Sequence, residues 1–113
     1  MRLRVLAIAF AAAVVCAATP ASAQTPVEKG QAVFTAQKCS LCHSVAGKGN
    51  PKGPLEEAVS KLSNEEIRQW LVNPAEMREK AHADRKPEMK SFSTLPKGDL
   101  DALVAYVASL KKQ

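Results

Sequence analysis

Two cysteines three positions apart with a histidine directly behind the second, Cys39-Ser40-Leu41-Cys42-His43, constrain this chain more than any other feature. Side chains of this chemistry, so closely spaced, suit a metal, a redox pair or a prosthetic group. A structural zinc site takes four protein ligands, usually from two separated pairs. No second cysteine pair exists here, and the other histidine, His82, is remote in sequence. A thioredoxin-like pair needs a βαβ setting, and the sequence shows no strand-like alternation. A disulfide between Cys39 and Cys42 would close a tiny loop and gain little entropy. Covalent haem attachment uses all three residues at this spacing. The thiols add to the two vinyl groups, and the adjacent imidazole is carried under the ring, where it can ligate iron.

The amino terminus fits that chemistry. Arg2 and Arg4 precede an apolar run over residues 5–18, and Ala21-Ser22-Ala23 supplies small residues for cleavage. The pattern predicts a secretory signal peptide over 1–23, cut after about Ala23 and taking Cys16 with it, and an exported, periplasmic domain over 24–113. The apolar run is shorter than the ~20 residues a membrane helix requires, so no transmembrane segment is expected in the mature chain. Loss of Arg2 and Arg4 takes two charges from the formal +5 and leaves the domain mildly basic. Dispersed lysines, few aromatics and export argue against nucleic acid as a partner. A domain this small sits near the lower limit for a self-sufficient core, where a cofactor often supplies stability.

The rest of the chain reads as helices joined by Gly- and Pro-marked loops, one all-α domain. Thr25, Pro26 and Glu28 make a capped start for a first helix that runs into Cys39, with Gly30 and Phe34 sharing one face. Glycine costs helix propensity, so a close approach by another helix is the expected reason for Gly30. The segment 46–54 reads as a loop. Ser63 and Glu66 form a second capping box ahead of a helix with Ile67, Trp70 and Leu71 on its apolar face. Asn73-Pro74 interrupts it, a short helix "PAEMREKA" follows, and residues 82–95 read as an extended loop. In the last helix Leu100, Leu103, Val104, Val107 and Leu110 form a stripe, Leu95 and Leu100 can staple its start, and Lys111 and Lys112 suit its negative end. Tyr106 is placed to meet Gly30 and Phe34.

Taken together, these features resemble a small class I c-type cytochrome of bacterial type, over essentially the whole of 24–113. The resemblance rests on Gly30 and Phe34, Cys39-Ser40-Leu41-Cys42-His43, Gly53-Pro54, Trp70-Leu71-Val72-Asn73-Pro74, a loop methionine, and Leu103 with Tyr106. It implies a cytochrome c fold, with the first and last helices crossing and loops and shorter helices wrapped around one covalently bound haem c. It implies His43 and Met89 as the axial ligands. Met89 stands in the Pro-containing loop where the family places its methionine, although Lys90 follows where many relatives carry proline; Met77 reads as core filler. Pro54 resembles the proline whose carbonyl accepts from the proximal imidazole, and Trp70 and Leu71 are expected to line the haem pocket. His82, among charged residues, reads as solvated surface. With both axial positions filled, the implied function is one-electron transfer by a monomeric periplasmic carrier rather than an enzyme. A haem-bearing subunit of a larger oxidoreductase is the alternative. Lys38, Lys48, Lys52, Lys86, Lys90 and Lys97 flank the two haem-holding segments, so redox partners with an acidic docking face are expected.

Overall fold

Helix α1 (Pro26–Ala36) starts on a reciprocal cap. The Glu28 amide donates to Thr25 Oγ1 and the Thr25 amide donates to Glu28 Oε2, each at 3.1 Å. These bonds satisfy two of the amides that a helix start leaves without partners. The computed structural model describes residues 9, 11–16 and 23–111. The expected signal peptide therefore lies mostly outside the described residues, and Lys112 lies outside them too. Among the described residues, no helix is long and apolar enough to cross a membrane.

Helix α1 stops short of the cysteines. Gln37 caps it, Lys38 takes a left-handed conformation (φ 57°), and Cys39–Leu41 form a single 3₁₀ turn. This corrects the expectation of a helix running into Cys39, and the left-handed residue supplies the physical break. Residues 44–49 also depart from a plain loop. Strands β1 (Ser44–Val45) and β2 (Lys48–Gly49) pair antiparallel around Ala46-Gly47, both at positive φ. Paired positive φ at the two central residues is the turn geometry that suits a tight hairpin. A one-turn helix α2 (Leu55–Ala58), opening on Pro54, was not foreseen either.

The remaining helices fall where the caps place them. Helix α3 (Asn64–Val72) carries the Ser63–Glu66 capping box and buries Ile67 and Leu71. Asn73 ends it and opens helix α4 (Pro74–Ala81), which His82 closes in a left-handed conformation. No helix or strand occurs between His82 and the last helix, α5 (Lys97–Ser109). Pro96 stands at the cap of α5 without a side-chain bond. Leu95 and Leu100, one residue before that cap and four after it, pack in the same apolar cluster, as a hydrophobic staple does.

The core lies where α5 crosses α1 and α3. Leu103 is fully buried (0% exposed), and Phe34, Leu55, Val59, Ile67, Leu71, Phe92, Val104, Tyr106 and Val107 surround it. A Cβ at Gly30 would overlap the Ala102 carbonyl oxygen and lie 2.5 Å from Tyr106 Cβ, so only glycine allows α5 to come this close. The Phe34 and Tyr106 rings meet edge to face, centroids 5.4 Å apart and planes at 65°, an arrangement that adds roughly 0.5–1.5 kcal/mol beyond burial. The proposed reason for Gly30 and the partner of Tyr106 are thus both as the sequence suggests.

Candidate functional site

The attachment motif is held by backbone turns. The His43 amide donates to Cys39 O at 2.9 Å and the Cys42 amide to the same oxygen at 3.1 Å, folding the five residues into a knot with both thiols free. Asn50 stitches the hairpin to this knot. Its amide is shared between Ser40 O and His43 O, its side-chain nitrogen donates to Leu41 O, and its carbonyl accepts from the Gly53 amide, all at 3.1 Å. Two glycines permit the closeness. A Cβ at Gly49 (φ 110°) would overlap the His43 carbonyl, and one at Gly53 would overlap the Cys42 carbonyl and the Arg85 guanidinium. The Ser44 amide donates to Gly53 O at 2.9 Å, fixing the chain just beyond His43.

His43 itself is half-buried, and its buried Nδ1 has no hydrogen-bond partner. Burial lowers the imidazole's pKa, the nearby Gly53 backbone opposes this, and the charge of Arg85 adds to it. The neutral form that results is the one able to ligate a metal. Pro54 lines the same open cleft of about 410 Å³ as His43, with Lys52, Gly53, Glu57, Ala58 and Arg85. Its carbonyl accepts from the Ala58 amide at 3.2 Å as α2 begins. A carbonyl oxygen has two lone pairs, so this bond leaves one for the imidazole contact that the resemblance implies.

The second segment of the site is the loop from 83 to 96. Met89 is half-buried and packs against the apolar core, whereas Met77 is half-buried on α4. The loop is fastened to α3 just beyond the methionine. The Phe92 amide donates to Leu71 O at 2.7 Å, Ser91 Oγ donates to Val72 O at 2.8 Å, and the Phe92 ring is buried. Lys90 lies over that ring, 5.2 Å from its centroid. Its charge is also felt at Cys39, whose thiol pKa is pushed up first by burial. Arg85, before the methionine, donates through Nη2 to the Cys42 carbonyl. Leu71 is buried and Trp70 half-buried beside it on α3. His82 is exposed.

Asn50, Gly49, Arg85 and Ser91 were not singled out by sequence reasoning. Each works through contact with the backbone of another turn or segment, near in sequence for Gly49 and Asn50 and distant for Arg85 and Ser91, and the glycine-rich run 46–54 was the only signal pointing toward the first two.

The donor set fits a covalently attached, iron-centred group better than a bare ion. Among the described residues, no three His, Cys, Asp or Glu side chains are grouped to hold a metal. Two free thiols adjoin a buried, unpaired imidazole nitrogen, with a half-buried thioether on a loop that reaches back to them. An all-α domain with that arrangement is a c-type haem domain. Over residues 27–111 the chain matches the cytochrome c family, and it belongs to that family. Membership carries an all-α fold, covalently bound haem c and electron transfer. The chain is also similar to cytochrome c oxidase subunit 2 of Alkalihalophilus pseudofirmus (strain ATCC BAA-2126 / JCM 17055 / OF4), 29% identical over 97 residues. That match covers 78% of this chain and 27% of the relative, so the chain spans well under half of that protein's length. No solved structure gives a significant match.

Proposed function

We propose that this protein is a periplasmic one-electron carrier that binds one haem c through thioether bonds at Cys39 and Cys42, with His43 and Met89 as axial ligands. The observation that carries the reading is the bracketing of Met89. Arg85 before it bonds to the Cys42 carbonyl, and Lys90 after it brings its charge to Cys39, so the methionine segment lies against the attachment segment. Haem c, when bound, supplies the Fe(II)/Fe(III) couple that accepts and releases one electron. The chain's own contribution is to hold and shield it. Burial favours the neutral form of His43, and the core contact of Met89 limits its freedom. Partial exposure leaves Trp70 able to line a pocket beside buried Leu71. A neutral thioether ligand and an apolar surround both favour the ferrous state.

Docking is the role we assign to the exposed surface around the motif. Leu41, between the two cysteines, is 70% exposed. Lys38, Lys48, Lys52 and Lys90 are exposed on the two site segments. Lys86 and Lys97 are also exposed but pair with Glu88 at 2.7 Å and Asp101 at 2.6 Å, which weakens their share of the positive field. An exposed apolar side chain and exposed cations on the same two segments suit an acidic redox partner. The similarity to an oxidase subunit favours a second reading, in which the domain works within a larger oxidoreductase.

Two measurements test the proposal. Ferric protein should show the weak sulfur-to-iron absorption band, which Met89→Ala removes and Met77→Ala leaves; the reverse pattern would move the ligand to Met77. Electron transfer to a negatively charged acceptor should slow as salt shortens the Debye length to about 8–10 Å. Rates indifferent to salt and to Lys38→Glu with Lys52→Glu would remove the basic docking face.

A further inference from the structure

The loop that bears Met89 has unequal fastenings. After the methionine, two hydrogen bonds and a buried ring fix it to α3. Before the methionine, the Arg78–Glu88 and Lys86–Glu88 pairs, at 2.9 and 2.7 Å, involve a half-exposed carboxylate. Such surface pairs contribute little. Arg85 differs from them in kind. Its guanidinium crosses to another segment, donates to the Cys42 carbonyl, and occupies the space that a Gly53 side chain would need. One planar fork therefore touches three segments: the methionine loop, the attachment knot and the turn at Gly53, in the cleft that His43 also lines. A charge-assisted bond to a carbonyl is stronger than a neutral one, and a lysine cannot reproduce the fork.

We propose that Arg85 is a positioning residue that pins the segment carrying Met89 to the segment carrying Cys42 and His43, and so sets how readily the sixth ligand is displaced. Arg85 touches neither axial side chain and acts through the backbone of its neighbours. The inference rests on the assignment of Met89 as ligand. Without the clamp, the first half of the loop keeps the two Glu88 ion pairs and, at its very start, the Ala83 amide's bond to Arg78 O at 3.0 Å, and the methionine should yield more often to an outside ligand. Among the described residues, no hydrogen bond or ion pair joins Arg85 to α1 or α5, and that crossing should be indifferent to its loss.

The experiment uses haem-loaded ferric protein and follows imidazole entry by the disappearance of the sulfur-to-iron band. Arg85→Gln should speed entry by about tenfold, the effect of losing one bond to a charged group. Arg85→Lys should fall between it and the wild type. Arg68→Gln removes a less exposed arginine that binds Asp101 at 2.7 Å between α3 and α5, and should leave entry unchanged. If Arg85→Gln retains too little haem, Arg85→Lys against Arg68→Gln makes the same comparison. Wild-type entry rates in both Arg85 variants, or equal acceleration by Arg68→Gln, overturn the clamp. A wild type without the sulfur band overturns the Met89 assignment, and the clamp with it, before any variant is made.

Discussion

The helix crossing and the two loops of the haem site are both close-packed around glycines, yet they are held by different forces. At the crossing, Gly30 lets the α5 backbone approach and apolar side chains fill the space around it. At the site, Gly49 and Gly53 let backbone carbonyls and a guanidinium approach, and hydrogen bonds fill the space instead. Among the described residues the crossing leaves no buried side-chain polar atom without a partner, and Leu103 is fully buried. The site keeps a buried imidazole nitrogen without a partner and two free thiols. One region is complete in the polypeptide; the other is shaped for a group that the polypeptide does not supply.

Paired glycine substitutions break or sharpen this contrast. Gly30→Ala forces a Cβ into the Ala102 carbonyl and should cost about 3 kcal/mol of global stability, read from denaturant midpoints by far-UV circular dichroism. Gly53→Ala creates a comparable overlap with the Cys42 carbonyl and displaces Arg85. It should disturb haem loading and the sulfur band while leaving the helical signal near wild type. If both variants lose helix equally, the two regions are one cooperative unit and the contrast fails. A milder probe is Ser91→Ala, which removes the bond to Val72 O at 2.8 Å. About 1 kcal/mol is expected, appearing as earlier loss of the sulfur band in denaturant with an unshifted helical transition.

The same difference in forces explains what could be read from the sequence. Apolar period and cap chemistry are local, so Thr25 with Glu28, Ser63 with Glu66, and the stripe from Leu100 to Val107 declared α1, α3 and α5 with near-correct bounds. Gly30 stood out because glycine is costly inside a helix. The chemistry-bearing residues were equally visible, since Cys39, Cys42 and His43 are adjacent. Their supports were not. Arg85 is 43 residues from Cys42, and nothing in "HADRKPEM" distinguishes a clamp from a solvated arginine. The two-residue strands and the single turn of α2 are too short to impose a period, and the partner of the Ala46 amide, Glu56, comes from beyond the loop. The Pro54 expectation came from resemblance, and the bond its carbonyl accepts from the Ala58 amide neither makes nor excludes it.

The smallest effect tests the tie between α3 and α5. Lys97 foremost, then Arg68, hold the Asp101 carboxyl below its ordinary value of 3.8. Because the folded pKa is depressed, this carboxylate contributes stability above the unfolded value, and the contribution fades as pH falls through the folded value. Asp101→Asn should flatten that part of the acid limb slightly, since the group is solvent-exposed. An unchanged acid limb in Asp101→Asn would assign the pH dependence elsewhere.

The most direct test of the account is the mass of the denatured protein after acid and acetone extraction, which strips haem that is not covalently bound. The wild type should retain the mass of one haem, and the Cys39→Ala/Cys42→Ala variant should retain none. A wild type that loses its haem, or a double variant that keeps it, would contradict attachment through these two thiols.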